Sequence, residues 1–145
     1  MPCNNTLYPR QHSDAGLEWQ AVGFRKSDVL ILFDGSESSA IASGTSTRGQ
    51  LMAAAISGIV EDYQRRIAFG LLHFPVATAC GDGAVSGCCV GAPSIDLALG
   101  QGAAIRAALA ARAVPHGSSP MPMALETAIN YFQSRPYQGE SRTVL

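Results

Sequence analysis

Two stretches dominate the hydrophobic pattern of the chain, Val29-Leu30-Ile31-Leu32-Phe33 and Ile67-Ala68-Phe69-Gly70-Leu71-Leu72-His73-Phe74. Neither alternates apolar with polar positions, which is how a strand covered on both faces reads. Residues 28–33 and 67–74 are therefore predicted as buried strands, the second ended by Pro75. Between them, Leu51, Met52, Ala55, Ile56, Ile59, Val60 and Tyr63 recur at helical spacing and predict a helix over 50–64 with that stripe as core. The resulting strand–helix–strand unit should be parallel and right-handed. Residues 94–99 alternate Ile95, Leu97 and Leu99 against polar or small neighbours, the pattern of an edge strand. An Ala-rich helix over 101–112 turns Ile105 and Leu109 inward. A third helix starts after Ser119, expected as its N-cap, with Pro120 at the first helical position and Pro122 in the turn that needs no amide donors. Its buried stripe is Leu125, Ala128, Ile129 and Phe132. A last strand begins at residues 142–145.

The polar segments divide the chain. Residues 1–26 are irregular, a lead-in whose Leu17, Trp19, Val22 and Phe24 suggest a short edge strand or a linker packed through Trp19. Residues 38–50, SSAIASGTSTRG with Gln50, are too rich in Ser, Thr and Gly for a helix and read as loop. Residues 27–145 form the domain proper. At 145 residues one domain is expected. Hydrophobic content of 47% with 14% charged residues fits a compact globule and excludes a disordered chain. A net charge of -1 removes the electrostatic case for nucleic acid or an anionic membrane surface. No apolar run reaches the length of a membrane span, and the first residues lack a basic-then-apolar export pattern.

The chemistry gathers where the first strand ends. Asp34-Gly35-Ser36-Glu37-Ser38 sets one carboxylate and two hydroxyls at alternate positions. Small oxygen ligands of this kind suit a hard cation, and the carboxyl end of a central strand is where open α/β sheets bind ligands. Glu37 is expected to be solvated. Asp82 and Asp96 lack the spacing of a calcium loop and read as solvent-facing.

The apolar strand followed by DGSES resembles the von Willebrand factor A domain, whose metal-ion-dependent adhesion motif opens with Asp-x-Ser-x-Ser. The helix and second strand that follow are in the expected places, and HGSSPMPMALETAINYF looks like the family's Gly-Gly-Thr-Pro loop entering a helix. The resemblance spans residues 27–145. It implies a Rossmann-like open α/β sheet, mostly parallel, with an antiparallel edge strand at 94–99 and strand order 3-2-1-4. It implies that Ser36 and Ser38 are direct metal ligands and Asp34 a ligand through water, and that Ser119 stands where the family has Thr. The cofactor would be Mg²⁺, or Ca²⁺ or Mn²⁺, held weakly, and the partner a protein offering an acidic side chain, as in cell adhesion. Two features depart from the pattern. Ser39 replaces a bulky apolar residue, and the strand starting at 142 would finish in a further metal-site Asp, so the sequence looks like an amino-terminal piece of such a domain. Its fourth strand would then be a short exposed edge.

Cys80, Cys88 and Cys89 sit in one Gly-rich loop, with Cys3 far upstream. Cys80 could close on Cys88 or on Cys89, leaving Cys3 for the other; a zinc site is the rival reading, with poor ligand spacing. Disulfides would place the domain outside the cytoplasm, whether secreted, periplasmic or at the cell surface. Two alternatives remain beside the adhesion module. One is a structural fragment with no working metal site. The other is an enzyme using Cys80 with His73 or His116, for which no surrounding signature exists. GDGAVSG and GQG match neither phosphate-binding nor dinucleotide-binding loops.

Overall fold

The computed structural model describes residues 27–76, 89–111, 117–136 and 141–145. The expected lead-in strand at 1–26 lies outside them. Strand β1 is Ser27–Asp34 and β4 is Ile67–Phe74; they pair in parallel along their whole length, Ser27 opposite Ile67 and Asp34 opposite Phe74. Strand β5, Ile95–Ala98, runs antiparallel to β4, and β6, Ser141–Val144, runs parallel to β1. The sheet order is β5-β4-β1-β6. This is a mixed α/β fold with a mostly parallel sheet and one antiparallel strand.

The unbroken apolar runs have a physical cause. Successive side chains of β1 and β4 point to opposite faces, and both faces are covered. On one face Leu30, Leu72 and Phe74 pack with Leu97 and with Ala124, Ala128 and Phe132 of helix α3, Met121–Gln133. On the other, Ile31, Phe33, Phe69 and Leu71 pack with Val60 of helix α1, Arg48–Tyr63, and with Ile105 and Leu109 of helix α2, Gly102–Ala110.

The helices differ from the sequence expectation in which face they bury. In α1 the inward side is Ala53, Ile56, Ser57 and Val60, while Leu51, Met52, Ile59 and Tyr63 are exposed. In α3 Ala124 replaces Leu125 and Ile129 as the buried partner of Ala128 and Phe132. In both cases a small residue takes the inward position and the larger ones fall on the flank. The segment before α1 is also more ordered than a plain loop. It holds a 3₁₀ turn, Glu37–Ala40, and a two-stranded hairpin of β2, Ala42–Ser43, with β3, Ser46–Thr47. Thr47 then caps α1 by accepting from Gln50 N, and the Gln50 side chain accepts from Thr47 N. This reciprocal pair is a capping box, written in the sequence as Thr-Arg-Gly-Gln.

Both edge strands are tied to α3 by polar side chains. Arg142 of β6 donates to the carbonyls of Phe132, Arg135 and Pro136, placing a cation at the C-terminal end of the helix and the turn that follows it. At the other edge, Tyr131 Oη accepts from Leu97 N at 3.0 Å and from Arg135 Nη1 at 3.1 Å, and donates to Asp96 Oδ1 at 3.0 Å. Asp96 is thus exposed, as expected, but engaged. Tyr131→Phe leaves the Leu97 amide without this partner and is expected to cost about 1–3 kcal/mol in urea unfolding. Burial is the main cause that raises the Tyr131 pKa, with Asp96 adding to it and the Leu97 and Arg135 contacts opposing. A phenol raised in the folded state favours folding while neutral. Its contribution is complete below the unfolded pKa near 10 and is lost as pH rises through the folded value. The parent chain should therefore lose stability above about pH 10 more steeply than Tyr131→Phe.

Candidate metal centre

The Asp-x-Ser-x-Ser segment leaves β1 at its carboxyl end and is fixed from three sides. Gly35 N donates to Phe74 O at the end of β4, 2.7 Å away. Ser36 N donates to Asp34 Oδ1 at 2.8 Å, and Ser39 N to Ser36 O at 2.9 Å, closing the 3₁₀ turn. Glu37 N donates to Gly117 O at 3.1 Å. Gly117 has φ of 72°, a backbone state that side-chain-bearing residues rarely adopt. That conformation presents its carbonyl to the first loop.

The second loop then delivers Ser119. Its Oγ donates to Asp34 Oδ2 at 2.7 Å. Ser36 Oγ lies 3.1 Å from Ser38 Oγ. The four residues named from sequence thus converge: the Asp34 carboxylate accepts from the Ser36 amide and from the Ser119 hydroxyl, and Ser38 joins Ser36. Ser36 is buried, whereas Ser38, Ser119 and Glu37 are exposed, so the group opens to solvent on one side. Ser119 is not the N-cap of α3. Pro120 occupies that position, with Pro122 in the first turn as expected and no side-chain cap. The Ser119 hydroxyl is spent on Asp34 instead.

These residues fit a hard cation by donor type, since hydroxyl and carboxylate oxygens are what magnesium, manganese and calcium take. Hydroxyl oxygens of Ser36 and Ser38 each keep a lone pair beyond their mutual bond. Among the described residues no group of three or more His, Cys, Asp or Glu side chains is placed to hold a metal. A cation here would rest on three hydroxyls and the single carboxylate of Asp34.

His73, the candidate base of the enzyme alternative, lies in β4 next to the residue that leads into β5. Its Nδ1 lies 3.2 Å from Ser94 Oγ, which also donates to Leu71 O and ties β5 to β4. Cys3, Cys80, Cys88, His12, His116 and Asp82 lie outside the described residues. Cys89 is buried beside Val76 in an antiparallel bridge and is disulfide-bonded. Among the described residues no helix is long and apolar enough to cross a membrane.

No family model matches the sequence, and no curated protein matches it. Among solved structures the chain is similar to the PilB minor pilin from Streptococcus sanguinis, at 13% identity and a TM-score of 0.57. The match covers 86% of this chain and 30% of that one, so the likeness is to a part of the pilin and is one of fold.

Proposed function

We propose that this chain is a protein-binding module of the von Willebrand factor A type, which works outside the cytoplasm and engages an acidic side chain of its partner through a divalent cation. One observation carries the reading. The Ser119 hydroxyl reaches Asp34 across 85 positions of sequence at 2.7 Å, so two separate loops meet at the carboxyl end of β1. The strand order β5-β4-β1-β6 and the antiparallel β5 support the same type. Ser36, Ser38 and Ser119 would hold the cation, with Asp34 behind them. Neutral hydroxyls leave most of the ion's positive charge unbalanced, which favours a carboxylate supplied by a partner. That a minor pilin carries this fold fits an assembly role at a cell surface, as does the disulfide at Cys89.

Calorimetric titration of Mg²⁺ and Mn²⁺ into the 145-residue chain tests the reading. With one carboxylate present, affinity should be weak, about 1 mM. Ser36→Ala with Ser38→Ala should weaken it at least about tenfold, since two of the hard oxygen ligands go. Tight binding that survives the double substitution would put the ion elsewhere and end the adhesion-type reading.

A second reading has an observation of its own. The Ser119–Asp34 and Ser36–Ser38 pairs satisfy one another, so the cluster can serve as a lock between two loops with no ion at all.

A further inference from the structure

A cavity of about 580 Å³ opens between the end of β1, the 3₁₀ turn, the first half of α1 and α2. Phe33 and Leu109 give it apolar surface, while Gly49 and Ala53 leave space where larger side chains of α1 would intrude. A Cβ on Gly49 would stand 3.2 Å from both Ser39 Cβ and Ser39 O, so glycine is what lets α1 begin against the 3₁₀ turn. The volume falls in the range of small-molecule sites, which are mostly apolar with a few placed polar groups.

Two polar groups mark the occupant. Ser39 is only 6% exposed, lines the cavity, and its hydroxyl has no hydrogen-bond partner among the described residues, although its amide is bonded to Ser36 O. Buried hydroxyls are nearly always satisfied by protein, water or ligand. Arg106 is the one charged residue of the described lining. Its Nη2 donates to Glu61 Oε2 at 3.1 Å, and the other donors of the guanidinium fork remain for an anion.

We propose that this cavity is a binding site for a small amphipathic carboxylate, with its apolar body against Phe33, Leu109 and Ala53 and its polar head served by Ser39 and Arg106. The site shares no residue with Asp34, Ser36, Ser38 and Ser119, so it stands or falls apart from the metal reading.

The test is an amide-resolved NMR titration of the 145-residue chain with octanoate, benzoate and indole-3-acetate, each beside its uncharged amide. The expected result is saturable shifts at Ser39, Gly49 and Ala53. At least one carboxylate should bind about fivefold tighter than its amide, the worth of one partly exposed ionic contact. Arg106→Gln should abolish that preference. Glu61→Gln breaks the same ion pair but keeps the cation, and should retain it. Ser39→Ala removes no internal hydrogen bond and should weaken acid and amide alike. Absence of shifts at these amides with every acid, shifts confined to another surface, or Arg106→Gln binding acids as tightly as the parent would each overturn the proposal.

Discussion

Phe69→Ala is expected to remove a large part of the stability of this fold, about 3–5 kcal/mol. Phe69 sits mid-strand in β4, is 2% exposed, and packs within the cluster of Ile31, Val60, Leu71, Ile105 and Leu109. Truncation there loses the transfer energy of the ring and leaves a void between sheet and two helices that can collapse only partly. Against a usual total of about 5–15 kcal/mol, the variant should be partly unfolded near body temperature. The paired control is Ile59→Ala on α1, a side chain of similar hydrophobicity that is 45% exposed. It should change stability by less than about 0.5 kcal/mol, since surface substitutions rarely do more. Urea midpoints of the two variants decide the matter. Equal losses, or a small loss at Phe69, would mean that α1 does not present Ile56 and Val60 to the sheet.

That contrast also marks how far the sequence can be read. The strands were legible because burial on both faces makes every position of β1 and β4 apolar, and no choice of face is needed. Strand order followed from the same runs combined with the family resemblance. The helices required a choice of face, and hydrophobicity alone misdirected it. Leu51, Met52, Ile59, Leu125 and Ile129 are large and apolar yet exposed, whereas Ala53 and Ala124 are the residues turned to the sheet. Where helix and sheet approach closely, a small side chain fits and a larger one does not. Amphipathic stripes do not register that steric condition.

The site was legible for a related reason. Asp34, Ser36 and Ser38 follow the strongest strand, so their place at its carboxyl end needs only the strand itself. Ser119 was expected both as the N-cap of α3 and, by the family resemblance, beside Asp34; its hydroxyl makes the Asp34 contact and not the cap. Its position before Pro120 suits an N-cap, and local preference pointed there, whereas the contact it makes is 85 residues away. Local patterns cannot see such a contact. The Thr47–Gln50 capping box was visible in principle, but the density of Ser, Thr and Gly around it masked the signal. The cavity beside Ser39 had no sequence signature, because it arises from small residues on elements that meet only in the fold.

Asp34→Asn should abolish divalent-cation binding while leaving the two loops joined. Asparagine keeps the shape of the side chain. Its carbonyl oxygen can still accept from Ser36 N, and its amide can donate to Ser119 Oγ, since a hydroxyl serves as either donor or acceptor. The negative charge alone is lost, and with it the only formal charge that the four-residue cluster offers a cation. For a parent affinity of about 1 mM, 10 mM Mg²⁺ stabilises the folded chain by about 1.4 kcal/mol. In a chain of this size that raises Tm by about 5 °C. The expected result is that Mg²⁺ or Mn²⁺ shifts the Tm of the parent by this amount and the Tm of Asp34→Asn not at all, with both chains melting within a few degrees of each other in its absence. If the cluster is instead an ion-free lock, the parent shows no Mg²⁺-dependent shift and the two chains behave alike at every concentration. A Mg²⁺ shift of equal size in both would place the ion away from Asp34. The adhesion-type reading would then fail, although the Ser119–Asp34 contact that joins the loops would stand.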